Sequence, residues 1–451
     1  MSSSERVISI FGLGPLGLAT AVCYAKRGFQ VIGIDPNKTR LTKIKNKESP
    51  FFEPKLDEYL AETIDSGRFS VSDDPSLSMS SDISYIAVGT PCDKRGHIDL
   101  RYVKRAALDI GRSLKVSNRN QLVIVKSTVT TGTARNLVRE TLERASGKKA
   151  GVDFGLCSNP EFLREGSAIE DTERPDRIII GSDDPVAIDR LDAFYREFHG
   201  EHTPEIIRTT HENAELIKYA NNAFLATKIS FINTIANISE QVQFADVRTI
   251  AQGIGLDSRI APTFLAAGLG YGGSCFPKDL DALITESKKR GYKPKLLEAT
   301  RDVNELQPMI AVKFAREKLG SVRGKKVAVL GLAFKPNTND MRNAVSIPII
   351  RHLLKMGAKI SVSDPVAILT AKELLGQKIE YFLDPKECLK SADLAILVTE
   401  CQEFRKLAPH DFVSLMKKPI LFDGRRLYDY EEMMKSGVLY HGIGLGKKRG
   451  N

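Results

Sequence analysis

The sequence predicts an α/β fold in which two doubly wound domains are joined by a long central helical region. Three observations carry that prediction. A strand, a glycine-rich turn and a helix open the chain between Arg6 and Arg27. The same outline returns from Lys325 onward. Between the two, Glu212 to about Phe244 has helical character and holds neither proline nor glycine. Domains are expected over 1–205, 206–310 and 311–451, and a chain of 451 residues has room for about two or three.

Composition narrows the class. Hydrophobic content of 42% and charged content of 27% are ordinary for a globular enzyme. No apolar run is long enough to span a bilayer, and Met1 to Arg6 runs straight into a strand pattern without a signal peptide's apolar centre. The six cysteines, at 23, 92, 157, 275, 388 and 401, form no CxxC pair, and the histidines show no HExxH spacing. Neither a disulfide framework nor a metal site is expected, and a reducing compartment, the cytoplasm, fits best. The net charge of +10 raises nucleic-acid binding, but the Lys and Arg residues are spread along the chain. Lys447-Lys448-Arg449 reads as a short solvated tail. A basic enzyme acting on anionic phosphorylated substrates explains the balance equally well, so neither nucleic acid nor membrane is expected as a partner.

The elements follow in order. Arg6 to Phe11 is a buried strand, Gly12-Leu-Gly-Pro-Leu-Gly17 a turn, and a helix runs to Arg27 with Gly28 as its stop. Gln30 to Ile34 is the next strand and ends in Asp35. GxGxxG inside a βαβ unit, with an acid about 20 residues on, is the Rossmann dinucleotide fingerprint. The glycines admit a pyrophosphate to the helix N-terminus. Asp35 would accept from ribose hydroxyls and repel a 2′-phosphate, which favours NAD over NADP. Strands Ile83 to Val88 and Leu122 to Lys126 end in small polar residues, Thr90 in one case and Ser127-Thr128 in the other. These lie at the carboxyl edge of the sheet, where ligands bind; ordinary turn and cap chemistry is the alternative. After Leu156-Cys157 come Glu161 and Glu165, four apart, either aimed at one site or a solvated helix face. In the long helix Lys218 and Asn222 share a face among apolar residues; Lys218 either snorkels or is a partly buried amine. The third segment places strands at 325–330, 359–362, 394–398 and 420–422 and a helix at 346–356; its first turn, Gly331 to Lys335, lacks GxGxxG.

The stretch Gly270 to Asp279 (GYGGSCFPKD) is the most telling. Pro277 suits the first turn of a helix, so Cys275 is expected near a helix N-terminus, where N–H groups and the dipole favour a thiolate. Lys278 adds positive charge, and Asp279 shares a face with Cys275 if the helix begins there. That is an activated nucleophile beside an acid/base group; a cysteine packed as a small hydrophobe is the alternative.

Taken together, GLGPLG with Asp35, VGTP (88–91), KSTV (126–129), NPEFLREG (159–166), AELIKYANNAFLATKISFIN (214–233), GYGGSCFPKD, FKPNTNDMR (334–342) and FDGRR (422–426) resemble the nucleotide-sugar dehydrogenase family over nearly the whole chain. The resemblance implies oxidation of UDP-glucose to UDP-glucuronate at C6, with two NAD reduced in succession. It implies that Lys218, Asp279 and a water take the hydroxyl proton, and that Cys275 attacks the aldehyde. Lys218 and Asn222 stabilise the oxyanion; Glu161 or Asp279 activates the water that releases the product, and Thr128 holds it. Gly12, Gly14, Leu16, Gly17, Asp35, Thr90, Ser127, Thr128, Glu165, Lys278 and Arg342 are the implied cofactor contacts. Glu161, Phe162, Leu163, Lys218, Asn222, Tyr271, Gly272, Lys335 and Arg425 are the implied UDP-sugar contacts. Arg259 is implied to reach the substrate across the interface of a homodimer or higher homo-oligomer.

The sequence departs from the family pattern at Thr130, where proline is common, at Pro15, and in the polar run after Lys335. None removes an implied catalytic group. GDP-mannose and UDP-N-acetylhexosamines are the alternative substrates; Ser274, where hexosamine enzymes usually show His, favours UDP-glucose. A nucleic-acid-associated, non-catalytic protein is the other alternative, supported only by the basic charge.

Overall fold

The computed structural model describes residues 6–93 and 95–446; the first five residues and the Lys447–Arg449 tail lie outside them. The chain forms two compact units, one ending at Asn221 and one beginning at Asn222.

The first unit is built on an eight-stranded sheet. Its strands are β1 (Val7–Phe11), β2 (Gln30–Ile34), β3 (Phe69–Ser72), β4 (Ile83–Ile86), β5 (Leu122–Val125), β6 (Gly155–Ser158), β7 (Arg177–Gly181) and β8 (Glu205–Thr209). They lie in the order β3-β2-β1-β4-β5-β6-β7-β8. The first six are parallel, β7 meets β6 antiparallel, and β8 runs parallel to β7. Side chains alternate along each strand between two cores. Ile8, Ile10, Leu122 and Ile124 face one, with Phe194 and Phe198; Phe11, Val123 and Val125 face the other, with Val103 and Ile110. Covering both faces is what a parallel sheet requires, and each such buried side chain contributes roughly 1.5–3 kcal/mol.

The second unit carries a six-stranded sheet: β9 (Lys326–Leu330), β10 (Lys359–Ser363), β11 (Glu380–Phe382), β12 (Leu394–Leu397), β13 (Ile420–Asp423) and β14 (Leu439–Gly442). The order is β11-β10-β9-β12-β13-β14, all parallel. Val327 and Val329 face one core and Ala328 and Leu330 the other. The two sheets share one winding, with the order reversing beside β1 in the first and beside β9 in the second. Such reversals open crevices at the carboxyl ends of the strands.

The long helix spans His211–Ser239. It is shorter than the expected run to Phe244. Beyond Ser239 the N–H groups of Gln241 and Val242 reach back only three residues, and Phe244 has φ +65°. The reversal is held by distant chain: Gly444 N–H donates to Glu240 Oε1 and Gly446 N–H to the Ala245 carbonyl. The segment 159–166 is a loop, which corrects the helix-face alternative for Glu161 and Glu165; its backbone is held instead by Glu53 and by Asp171, which accept from the N–H groups of Gly166 and Arg164. Among the described residues no helix is long and apolar enough to cross a membrane.

Candidate active site

In the first unit the three fingerprint glycines do three different jobs. Gly12 has φ +95°, and a Cβ there would lie 2.8 Å from the Ala87 carbonyl oxygen. At Gly17 it would lie 1.8 Å from the Gly12 carbonyl oxygen, so helix and strand pack there without a side chain. Around Gly14 a Cβ would meet nothing within 4 Å. That open side is where a pyrophosphate approaches the backbone. Gly14 caps the helix Pro15–Lys26 with no side-chain bond, leaving the helix N-terminus to an anion. Leu16, in the first turn, packs against the core. Asp35 is 2% exposed at the end of β2. It accepts from the N–H groups of Leu13 (2.8 Å) and Asn37 (2.9 Å) and from Arg40 (2.7 Å). These residues fit a dinucleotide. Arg40, five residues past Asp35, is a partner that sequence reasoning missed; its signal was a cation in the next helix.

Thr90 and Ser127 knit the edge of the sheet. Thr90 Oγ1 donates to the Thr128 carbonyl (2.8 Å) and Ser127 Oγ to the Val88 carbonyl (2.7 Å). Thr128 lines a cavity of about 10 Å³ with Ser127, Ser158, Glu215 and Lys218. Lys218 is buried on the long helix, its Nζ 3.2 Å from Glu161 Oε1 and 5.2 Å from the centre of the Phe162 ring. Glu161 Oε2 accepts from the Leu163 N–H. Leu163 packs against the core, and Glu165 is partly exposed. The loop is gripped by Glu53, which accepts from the N–H groups of Gly166 and Ala168, both at 2.8 Å. Sequence reasoning missed Glu53, more than a hundred residues away. It also missed Glu215, which accepts from the N–H groups of Gly132 (2.5 Å) and Ala134 (2.9 Å). Burial pushes the Glu215 carboxyl up to about 7 against the pull of those two bonds.

In the second unit Cys275 stands at the N-cap of the helix Phe276–Lys289, with Pro277 in the first turn. It is partly exposed, and its Sγ lies 3.4 Å from Ser274 Oγ. Asp279 is 1% exposed; its N–H donates to the Cys275 carbonyl (2.8 Å). Asn222 Nδ2 donates to Asp279 Oδ2 (2.6 Å), and the Lys278 ammonium pairs with the same carboxylate. A carboxylate this deep is tolerated because it is paired and hydrogen-bonded. The turn before Cys275 needs its glycines: a Cβ on Gly272 would lie 2.3 Å from the Asn343 carbonyl oxygen. Gly273 N–H donates to the Arg342 carbonyl (2.8 Å), while the Arg342 side chain pairs with Asp340 (2.6 Å). Tyr271 is 7% exposed and packs with Ala223, Leu280 and Ile284. Lys335 lies 5.7 Å from the Phe334 ring. Arg425, just past β13, donates to the Val398 carbonyl (2.8 Å) and pairs with Glu400 (3.0 Å). Arg259 pairs with Asp257 on the surface. Among the described residues no disulfide forms; all six cysteines are thiols.

A dinucleotide sheet, a second sheet of the same winding and a cysteine at a helix start define an NAD-dependent dehydrogenase. The chain belongs to the UDP-glucose/GDP-mannose dehydrogenase family. It matches that family's NAD binding domain over 6–199, its central domain over 212–306 and its UDP binding domain over 328–430. It is 44% identical to a UDP-glucose 6-dehydrogenase (TuaD) of Bacillus subtilis, over 99% of this chain and 94% of that one. It is 41% identical to a UDP-glucose 6-dehydrogenase of Rhizobium meliloti, over 97% of this chain and 99% of that one. Its fold is similar to that of a UDP-glucose dehydrogenase from Pyrobaculum islandicum, with TM-score 0.90, 37% identity and coverage of 98% and 99% of the two chains.

Proposed function

We propose that this protein oxidises UDP-glucose to UDP-glucuronate at C6 and that Cys275 carries the intermediate. The observation that carries the reading is the cysteine at an N-cap, one helical turn before a buried, paired aspartate. A simple alcohol oxidation needs no cysteine. Oxidising an aldehyde by hydride loss needs a tetrahedral adduct, which a thiolate forms readily.

NAD, when bound, accepts a hydride at each of the two oxidations. As the first hydride leaves C6, Lys218 and Asp279 take the hydroxyl proton. Cys275 Sγ then bonds to the aldehyde carbon, giving a thiohemiacetal whose oxygen Lys218 and Asn222 stabilise. Loss of the second hydride leaves a thioester on Cys275. Glu161 or Asp279 draws a proton from water, whose oxygen bonds to the carbonyl carbon and frees the Cys275 sulfur. Thr128 helps hold that water. Gly12, Gly14, Gly17 and Asp35 receive the cofactor, with Glu165, Lys278 and Arg342 near its nicotinamide end. Phe162, Leu163, Gly272, Lys335 and Arg425 meet the sugar nucleotide. The chain then reads as three working parts, 1–205, 206–310 and 311–451. Six reduced thiols suit the cytoplasm.

The long helix supports a homodimer. Phe224, Phe231 and Ile238 recur every seven residues and are 65%, 52% and 53% exposed. Seven-residue spacing of large apolar side chains is the seam of a helix that packs on another helix, and a second copy supplies one. Phe231→Asp is expected to yield a monomer in sedimentation at micromolar concentration; an unchanged sedimentation coefficient would remove this seam from the interface. Dimerisation would also give the exposed Arg259 a route to the partner's substrate.

The test of the activity is the yield of NADH per sugar. Two NADH per UDP-glucose is the expected result. Two NADH per GDP-mannose or UDP-N-acetylhexosamine, and none with UDP-glucose, would reassign the sugar. No NADH with any of them would end the dehydrogenase reading.

A further inference from the structure

We propose that Glu215 is a positioning residue of this site: one carboxylate fixes the loop carrying Thr128 at the spacing from Lys218 that leaves room for a single water between them. The inference rests on the role proposed for Lys218.

The geometry is local to the first unit. Glu215 and Lys218 are three apart on the long helix, so they are neighbours on one face. The two oxygens of Glu215 are divided between two backbone donors, Oε2 for Gly132 and Oε1 for Ala134. Those donors sit where the loop after β5 turns back. Gly132 has φ +94°, and Thr133 N–H and Oγ1 both reach the Thr130 carbonyl. Ala134 begins a π-helical turn, Ala134–Val138. Such turns are rare and frequently lie at functional sites. The other end of the loop is Ser127-Thr128, anchored on the sheet through Ser127 Oγ. The loop is thus pinned at one end to the sheet and at the other to the helix that carries Lys218. What remains between is the cavity of about 10 Å³ lined by Ser127, Thr128, Ser158, Glu215 and Lys218. That is the size that holds one water with polar partners.

Cap chemistry alone does not account for this residue. A serine or threonine hydroxyl satisfies a helix start from nearby in sequence, whereas Glu215 comes from 81 residues away and is 3% exposed. A charged form in that place accepts both bonds; a protonated form keeps only one oxygen as a good acceptor. The charged groups acting on it are Glu212 on its own helix and Arg135 on the π-helical turn; Lys218, on the same helix, lines the same cavity. His211, on Ser158, is held neutral by burial, its imidazole lowered to about 4. Ionisation of Glu215 therefore tightens the loop as pH rises through about 7.

The test compares the full-length native protein with Glu215→Gln and Glu215→Ala. Activity per folded molecule, from calibrated circular dichroism, is measured between pH 6 and 9, and amide exchange is followed at Gly132 and Ala134. Glu215→Ala is expected to lose kcat about tenfold or more, with KM for NAD and for UDP-glucose within about twofold. Glu215→Gln has one acceptor oxygen and keeps only one of the two bonds; its kcat should fall less and lose the rise through about pH 7. Both variants should exchange at least one of Gly132 and Ala134 faster. A native kcat and pH profile in Glu215→Gln, or native exchange at both Gly132 and Ala134, would overturn the proposal, and a lower melting temperature alone would count as overturning it too. If the native protein reduced no NAD with any sugar nucleotide, the dehydrogenase reading would fail, and exchange at Gly132 and Ala134 would still judge the grip.

Discussion

Cys275→Ser will stop uronate formation while leaving the protein folded. The expected loss in net turnover is on the order of 10³ or more, in the range seen when a covalent nucleophile is removed. A helix start favours a thiolate nucleophile, whereas a serine hydroxyl there is far weaker without a base beside it. On the proposed route the first hydride can still leave C6, because Lys218 and Asp279 would remain to take the proton. The aldehyde then has no sulfur to bond to, and the second oxidation stalls. The yield should fall from two NADH per UDP-glucose to one or fewer, with no covalent adduct in the intact mass. Cys275 is partly exposed at an N-cap whose side chain makes no capping bond, so the melting temperature should move little. Two NADH per sugar from the serine protein would refute the thioester route.

Lys218→Ala should cost both activity and stability, and the two losses can be separated. Lys218 and Glu161 are side chains only 4% and 11% exposed at 3.2 Å. Removing one member of a buried pair leaves the other charge in a dry place, at a cost of about 3–5 kcal/mol. Removing a donor to an oxyanion costs about 10²–10³ in kcat. Lys218→Ala with Glu161→Gln removes the orphaned charge as well as the amine. The double variant should recover most of the melting temperature and stay far less active than Glu161→Gln alone, which lacks the same carboxylate. If the double variant matched Glu161→Gln in activity, Lys218 would be a structural cation and the oxyanion would need another donor.

The sequence was most legible where local chemistry decides the structure. The turn at Gly12, the acid Asp35 at the end of the second strand and the helix beginning after Cys275 each follow from residues within a few positions. The second sheet was readable as a repeat of the first because buried parallel strands show as apolar runs. Reasoning failed where distant chain makes the choice. Glu161 and Glu165 have helical spacing, but their loop is shaped by Glu53 and by the Arg164–Asp171 pair. The long helix stops at Ser239 because Gly444 and Gly446 hold the reversal. Glu215 is one polar residue within the motif of the long helix. Nothing nearby in sequence shows that it holds the N–H groups of Gly132 and Ala134.

The first turn of the second sheet repeats that of the first in backbone and departs from it in chemistry. Gly331, after β9, has φ +95°, like Gly12 after β1. Its neighbours Leu332 and Ala333 are buried, and both donate their N–H groups to Asp364. No helix starts there; the next one begins at Ser346. In the first sheet the helix that starts after Gly14 leaves an N-terminus open to an anion, whereas the first turn of the second sheet offers no helix start. A diphosphate held by this domain would then be met by the side-chain cations proposed for it, Lys335 and Arg425, whose attraction is screened by dissolved ions. Raising the ionic strength should therefore lift KM for the sugar nucleotide more steeply than KM for NAD. One chain would bind two diphosphates, one through fixed backbone geometry and the other through charge.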